Sequence, residues 1–155
     1  MSSVSTPALS PEIGAGEQFT RFIFARSHFA PDNGRVKPQA LLPRRNEFKS
    51  RWETSAHRIA GLNDAQVWQL GYAHVENTPQ GRFIKARGTG AFDSAATRGL
   101  SLDVNGKPYP RHVDIVGWSD EKHDRLMKAT EIADTMKLDL DPRSDREGPG
   151  ALPRD

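Results

Sequence analysis

Two pairs of residues have the types and the spacing that acid–base or phosphate chemistry needs. His112 and Asp114 stand two apart in a stretch of strand-like composition, so their side chains share one face of the strand. A carboxylate beside an imidazole can orient it as a general base. Arg26 and His28 share a face near the end of another predicted strand, where they could contact a phosphate or a ribose hydroxyl. His28, His112 and Asp114 are therefore the catalytic candidates, although a hydrogen-bonded pair within a sheet explains the same spacing more simply.

The motifs that would identify an enzyme or a cofactor site are missing from the sequence. There is no cysteine, which excludes thiolate nucleophiles, disulfides and cysteine-ligated metals. Neither a His-Glu-x-x-His zinc motif nor a Gly-x-Ser-x-Gly nucleophile turn occurs. Gly88 and Gly90 match half of a dinucleotide-binding motif, but the third glycine is replaced by Asp93. We therefore predict no cofactor and no metal site, expect a bulge or turn at the two glycines, and favour a non-enzymatic function.

Basic residues are concentrated in the first half of the chain. Positions 1–87 hold 12 Lys and Arg against 7 Asp and Glu, whereas positions 88–155 hold 10 against 13. A sheet that gathered these cations on one face, with Trp52 as a stacking surface for a base, would bind a polyanion. Charges placed for solubility are the favoured explanation, because the excess is modest for a nucleic-acid-binding protein. The candidate polyanion-binding residues are Arg26, Arg44, Arg45, Lys49 and Arg51.

A second candidate surface lies on the first predicted helix. Trp68, Tyr72 and Val75 recur there at helical spacing. Aromatic residues contribute most of the binding energy in protein interfaces. These three are the partner-interface candidates, and packing in the protein's own core is the alternative.

Three hypotheses for function follow from these residues. The first is a non-enzymatic accessory or interaction module that binds a macromolecular partner, with a protein favoured over a nucleic acid. The second is an enzyme that acts on a phosphorylated or nucleotide-like substrate in a cleft of arginine and histidine. The third is nucleic-acid binding through the basic half.

Hydrophobic patterning predicts the elements that must position these residues. Phe48 and Trp52 fall on one side of a period-two pattern, which predicts a strand with both side chains directed inward. Asn63 with Gln66 forms a capping box for one helix, and Ser119 caps a second. The predicted strands cover 18–29, 35–42, 48–54, 81–87, 100–104 and 111–118, and the predicted helices cover 63–76 and 120–138.

The order β-β-β-α-β-β-β-α predicts an α+β fold with a mainly antiparallel sheet of about five to six strands and two helices on one face. We expect a single domain over residues 18–140, between disordered tails at 1–17 and 141–155 that are rich in Pro, Gly and Ser or in charge. The N-terminus has no cationic start and no apolar segment typical of a signal peptide. No apolar run is long enough to span a bilayer, so we expect a cytoplasmic protein without a membrane partner.

Overall fold

A seven-stranded antiparallel sheet forms the centre of the protein. The computed structural model describes the backbone of residues 9–145 and the side chains of residues 9–143. Its strands are β1 (Gln18–Ile23), β2 (Phe29–Ala30), β3 (Arg35–Val36), β4 (Arg44–Asn46), β5 (Arg51–Arg58), β6 (Ala86–Ala91), β7 (Ser101–Asp103), β8 (His112–Val116) and β9 (Lys137–Leu140). The main sheet has the order β7-β8-β5-β1-β6-β9, with β4 paired to β5, whereas β2 and β3 pair only with each other.

Four α-helices accompany the strands in the described part of the chain. They are α1 (Asp64–Gly71), α2 (Asp93–Ala96), α3 (Lys122–Asp134) and α4 (Pro142–Asp145). The predicted capping box is confirmed at the start of α1, where the Asn63 side chain accepts from the Gln66 amide and the Gln66 side chain accepts from the Asn63 amide. After Gly71 the chain continues in a π-helical turn, Tyr72–Glu76.

The α+β class and the antiparallel sheet are confirmed, but the two main helices do not share a face. Phe19 and Ile23 of β1 belong to a core that includes Ile132 of α3. Phe22, which points to the opposite side of β1, belongs to a second cluster with Trp68 of α1. The expectation of helices on one face was wrong because β1 buries apolar side chains on both sides.

Several predicted elements differ in their bounds. Residues 35–42 hold only the short β3 and a 3-10 turn, Pro38–Ala40, because Pro38 has no amide hydrogen to donate. The helix predicted over 120–138 starts two residues later, at Lys122. It ends at Asp134 because Lys137–Leu140 alternates in polarity and pairs with the open edge of β6. The strands predicted at 48–54 and 81–87 begin further along the chain, as β5 and β6.

Gly88 and Gly90 lie inside β6 rather than in a turn. A Cβ at Gly88 would lie 2.8 Å from both the Met136 Cε and the Val36 Cγ2 atoms. A Cβ at Gly90 would lie 3.0 Å from the Met136 Cγ. The glycines are needed because β3 and the end of α3 approach the sheet closely at this point.

The part of the expected N-terminal tail that the structure describes packs against the domain. Arg58 donates to Glu17 Oε2 at 2.6 Å and to the carbonyl of Ser10 at 2.7 Å, and Ile13 packs against the larger core. The domain therefore extends beyond the predicted start at Gln18. The expected tail residues 1–8 and 146–155 lie outside the described part of the chain.

A clamp of four side chains joins the π-helical turn to the end of β9. Arg143 donates to both carboxylate oxygens of Glu76, at 2.8 and 2.7 Å, and to Asp141 Oδ2 at 2.7 Å. The Tyr72 hydroxyl donates to Asp141, which is 1% exposed, and this contact together with burial raises the pKa of Tyr72 to about 12. Tyr72, Glu76, Asp141 and Arg143 form what we call the C-terminal clamp.

The close approach at Gly88 predicts that Gly88→Ala destabilises the protein by about 1–3 kcal/mol, the usual effect of overpacking a core. The added methyl group must displace the branched Val36, which has little rotamer freedom. Urea unfolding of the purified chain measures the effect. Gly14→Ala is the matched control, because its nearest neighbour, Glu17 Oε1, would lie 3.9 Å from the new carbon. Equal stability of the two variants would contradict the packing argument.

Candidate functional site

The β4–β5 hairpin presents three of the predicted polyanion-binding residues to solvent. Arg44, Arg45 and Lys49 are all exposed. Phe48, at the turn between the strands, is also fully exposed, with a relative accessibility of 103%. We call Arg44, Arg45, Phe48 and Lys49 the hairpin surface.

The inward position predicted for Phe48 was wrong because β5 begins only at Arg51. Phe48 therefore lies in the turn, where no strand periodicity applies. Trp52 does face the larger core, but only half-buried. The two residues that the sequence pattern places together thus have different environments.

Trp52 is not available as a stacking surface for a base. The guanidinium group of Arg125 lies 3.8 Å from the centre of its ring, and that of Arg45 lies 5.8 Å away. Its indole nitrogen donates to Asp120 at 3.0 Å. Cation–π contacts therefore use the ring to position Arg45 and Arg125 at the base of the hairpin.

Arg51 is held by carboxylates of the protein itself, unlike the other predicted polyanion-binding residues on the hairpin. It donates to Glu53 at 2.7 Å and to Asp103 at 2.6 Å, and it lies 3.7 Å from Asp114. The hydrogen bond that Arg51 donates to Asp103 raises the pKa of Arg51. A phosphate would have to compete with three carboxylates, so Arg51 is removed from the set of binding candidates.

Further cations lie beside the hairpin near the end of β1. Arg21 donates to the carbonyls of Ala40 and Ser55, at 2.8 and 3.1 Å. Burial, together with the positive charges of Arg44 and Arg82, lowers the pKa of Arg21 to about 10. The pKa of the half-buried His28 is also lowered, by burial first and then by Arg21 and Arg82. Positive charge therefore accumulates where β1, β4 and the loop before β6 meet.

Arg26 and Arg82 lie at the margin of this region. Arg26 is exposed in the 3-10 turn that also holds His28. The guanidinium group of Arg82 lies 5.0 Å from the centre of the Phe24 ring. The neighbouring Phe83 is 75% exposed, so a second exposed aromatic ring adjoins the basic region.

His112 and Asp114 lie in a buried cluster on the α1 side of the sheet. Their nearest atoms, His112 Nε2 and Asp114 Oδ1, are 3.5 Å apart. His57, on the neighbouring strand, shares a hydrogen bond between its Nδ1 and the Tyr109 hydroxyl. Tyr109 stacks on His74 with 4.2 Å between ring centres. We call the buried residues His57, Tyr109, His112 and Asp114 the histidine cluster.

Burial sets the protonation of the histidine cluster. It lowers the pKa of His57 well below the usual value and raises that of Tyr109 above the usual range. The neutral Tyr109 hydroxyl and the neutral His57 imidazole therefore share this hydrogen bond. Burial also lowers the pKa of His112 and raises that of Asp114, whose carboxylate accepts from Asn105 at 3.2 Å. Burial therefore favours the neutral imidazole at His57 and at His112.

The structure does not bring the catalytic candidates together. His28 lies in the turn after β1 and makes no hydrogen bond or ring contact with His112 or Asp114. A cleft of about 550 Å³ lies between α1 and the strands β6 and β9, and none of the three residues lines it. His57, Tyr109 and Arg87 are the chemically notable groups that sequence reasoning missed, because their partners are far away in the chain.

The partner-interface candidates belong to the second core cluster. Trp68 is 3% exposed and stacks on Tyr72 and against Phe22. Tyr72 and Val75 are half-buried against the same cluster. Trp68 thus has almost no surface to offer a partner, and core packing, the alternative noted above, explains the helical spacing.

Comparison with known proteins gives no function for this chain, so its function has to be inferred from its own residues. No family model, no curated protein and no solved structure matches this chain. Within residues 9–143, no group of three or more His, Asp and Glu side chains has an arrangement that would hold a metal ion. No helix in the described part of the chain has the length and hydropathy required to cross a membrane.

The histidine cluster predicts a loss of stability in mildly acidic solution. An unfolded histidine has a pKa of about 6.5, whereas burial holds that of folded His57 well below it. The stabilisation is complete above about pH 6.5 and is lost as the pH falls toward the folded pKa, because only the unfolded chain takes up the proton in that window. The expected slope is about 1.4 kcal/mol per pH unit for each such group.

Urea unfolding at pH 7, 6 and 5 tests this pH dependence. His57→Asn, whose amide oxygen can still accept from Tyr109, should reduce the slope by about 1.4 kcal/mol per pH unit. His123→Asn, on an exposed position of α3, is the control and should leave the slope unchanged. An identical slope in the His57→Asn variant would show that His57 is not held neutral by folding.

Proposed function

We propose that the protein binds single-stranded nucleic acid through the hairpin surface. The observation that supports this most directly is the fully exposed ring of Phe48, which lies at the turn of a hairpin carrying Arg44, Arg45 and Lys49. Exposed aromatic rings stack on unpaired bases, and arginine and lysine contact the phosphates between them. The proposal adopts the third hypothesis from the sequence, with Phe48 in place of Trp52 as the stacking residue.

The cations of the hairpin surface are available to a phosphate backbone. Arg44 and Lys49 form no ion pair with any residue between 9 and 143. Arg45 lies 3.8 Å from Glu47 and 3.7 Å from Asp120, carboxylates that are 82% and 91% exposed. Exposed pairs at such distances contribute little free energy, so a phosphate can replace them.

The neighbouring cations extend the positive region beyond the hairpin. Arg44 and Arg82 both lower the pKa of Arg21, which shows that positive groups from β1, β4 and the loop before β6 lie within electrostatic range of one another. A flexible single strand can follow such a path from Phe48 toward Arg82 and Phe83. A duplex holds its bases stacked inside and offers no ring to Phe48. A nucleic-acid partner fits the cytoplasmic location that the sequence predicts.

The other two hypotheses receive less support. A protein partner contacting α1 is disfavoured by the burial of Trp68. An enzyme with an arginine and histidine cleft is disfavoured because none of His28, His112 and Asp114 lines the cleft between α1 and the sheet.

Fluorescence anisotropy with labelled single-stranded RNA and DNA tests the proposal. Contact with three to four phosphates predicts that affinity falls about 20- to 50-fold between 50 and 200 mM salt, from a slope of about −0.7 per phosphate in the logarithmic plot. Phe48→Ala should weaken binding by about 1–3 kcal/mol, the value of one stacked base. The double variant Arg44→Ala, Lys49→Ala should weaken binding and reduce the salt slope by about 1.4.

The charge-matched control is the double variant Lys107→Ala, Lys122→Ala, which removes two exposed cations outside the hairpin surface. It should bind like the unmodified chain. Equal losses in both double variants would indicate a diffuse response to net charge and would contradict a site on the hairpin. Saturable binding of a duplex with no effect of Phe48→Ala would contradict the single-strand assignment. Absence of binding at 50 mM salt would overturn the proposal and return the search to protein partners.

A further inference from the structure

The cleft between α1 and the edge of the sheet contains a buried cation with an unsatisfied donor. Arg87 of β6 is 4% exposed, and its Nε has no hydrogen-bond partner although it is buried. Its other nitrogens contact Thr20 at 3.2 Å, Thr89 at 2.9 Å and the carboxylate of Asp64. A buried guanidinium that is not fully paired is costly in a domain. Arg87 thus places a fixed positive charge in the wall of the cleft.

The charged residues around Arg87 are balanced in number. Asp64 of α1 forms the short ion pair, and Asp139 of β9 is a second, longer partner at 3.9 Å. Lys137, which also lines the cleft, has no ion-pair partner between residues 9 and 143. Two cations and two anions thus meet at one opening. Because their charges cancel, the cleft does not favour a nucleotide or another multiply charged ligand.

Lys137 and Asp139 are the two charges least satisfied by the protein itself. They stand two apart on β9, so their side chains share a face and their Cα atoms are about 6.8 Å apart. A molecule that carries an ammonium and a carboxylate group on one carbon fits between them. The carboxylate would contact Lys137, and the ammonium would contact Asp139.

The opposite wall of the cleft is apolar. It consists of Ile59, Leu62 and Val67, from α1 and the segment before it. No aromatic residue lines the cleft, whereas an aromatic platform would favour a sugar. The volume of about 550 Å³ falls within the range of small-molecule sites, which is about 300–1,000 Å³.

From this geometry we infer that the cleft binds a free aliphatic amino acid, with its zwitterionic head between Lys137 and Asp139 and its side chain against Leu62. The site is separate from the hairpin surface and does not depend on the nucleic-acid proposal. A ligand there would connect the edge strand β9 with α1. It would act as a bound effector.

Isothermal titration calorimetry of the full chain with L-leucine tests the inference. We expect saturable binding of L-leucine. 4-Methylpentanoate lacks the ammonium group and 3-methylbutylamine lacks the carboxylate, so each should bind at least about tenfold more weakly, the effect of about 1.4 kcal/mol for one lost charge-assisted contact. L-Aspartate should also bind more weakly, because its side chain would place a charge against Leu62.

Two variants make the result specific to the cleft. Lys137→Ala should weaken L-leucine binding at least about tenfold, while Lys122→Ala, an exposed lysine on α3, should leave it unchanged. Far-ultraviolet circular dichroism confirms that both variants are folded. Equal affinity for L-leucine and 4-methylpentanoate would overturn the zwitterion assignment, as would binding of glucose in its place. No heat of binding with 10 mM L-leucine would overturn the inference while leaving the hairpin proposal unaffected.

Discussion

Strand β1 buries apolar side chains on both of its faces, and each face requires its own helical cover. Phe19 and Ile23 pack toward α3, and Phe22 packs toward α1 and the π-helical turn. A strand in this position must have neighbours on both edges, which β5 and β6 provide. The histidine cluster, the Arg87 cleft and the close approach at Gly88 all lie on strands that this arrangement holds at fixed spacing. The two-sided burial of β1 is thus the constraint on which the rest of the fold depends.

The same constraint explains why so many arginines are buried. Arg58 and Arg87 extend across the sheet and reach Glu17 and Asp64, while Arg111 donates to the carbonyls of Arg58 and Ala60. Each of these guanidinium groups satisfies buried oxygen atoms that a smaller side chain would leave unpaired. Counting charges along the chain therefore overstates the charge at the surface. What remains exposed is local, and the hairpin surface is the most concentrated example.

Structural features that depend on local sequence pattern can be predicted from the sequence. Features that depend on contacts between residues far apart in the chain cannot. The capping box at Asn63 is local, and it is present in the structure. Phe48 was misplaced because its alternation with Trp52 is interrupted by a turn that contains Ser50 in the left-handed region. Gly88 looked like a turn because the tight space around it is created by Val36 and Met136, both about 50 residues away in the chain. His112 and Asp114 share a face as expected, but nothing in their spacing reveals that His57 and Tyr109 lie beside His112.

The C-terminal clamp has a consequence for the order in which the protein is made. Its contacts join Glu76 with Arg143, which are 67 residues apart, and β9 must pair with β6 beside it. During synthesis the ribosome releases Tyr72 and Glu76 long before Arg143 leaves the exit tunnel. Through that interval the outer edge of β6 has no strand partner, and the π-helical turn lacks its cation. Such edges pair readily with other chains, so the nascent protein exposes an edge prone to aggregation until β9 has emerged.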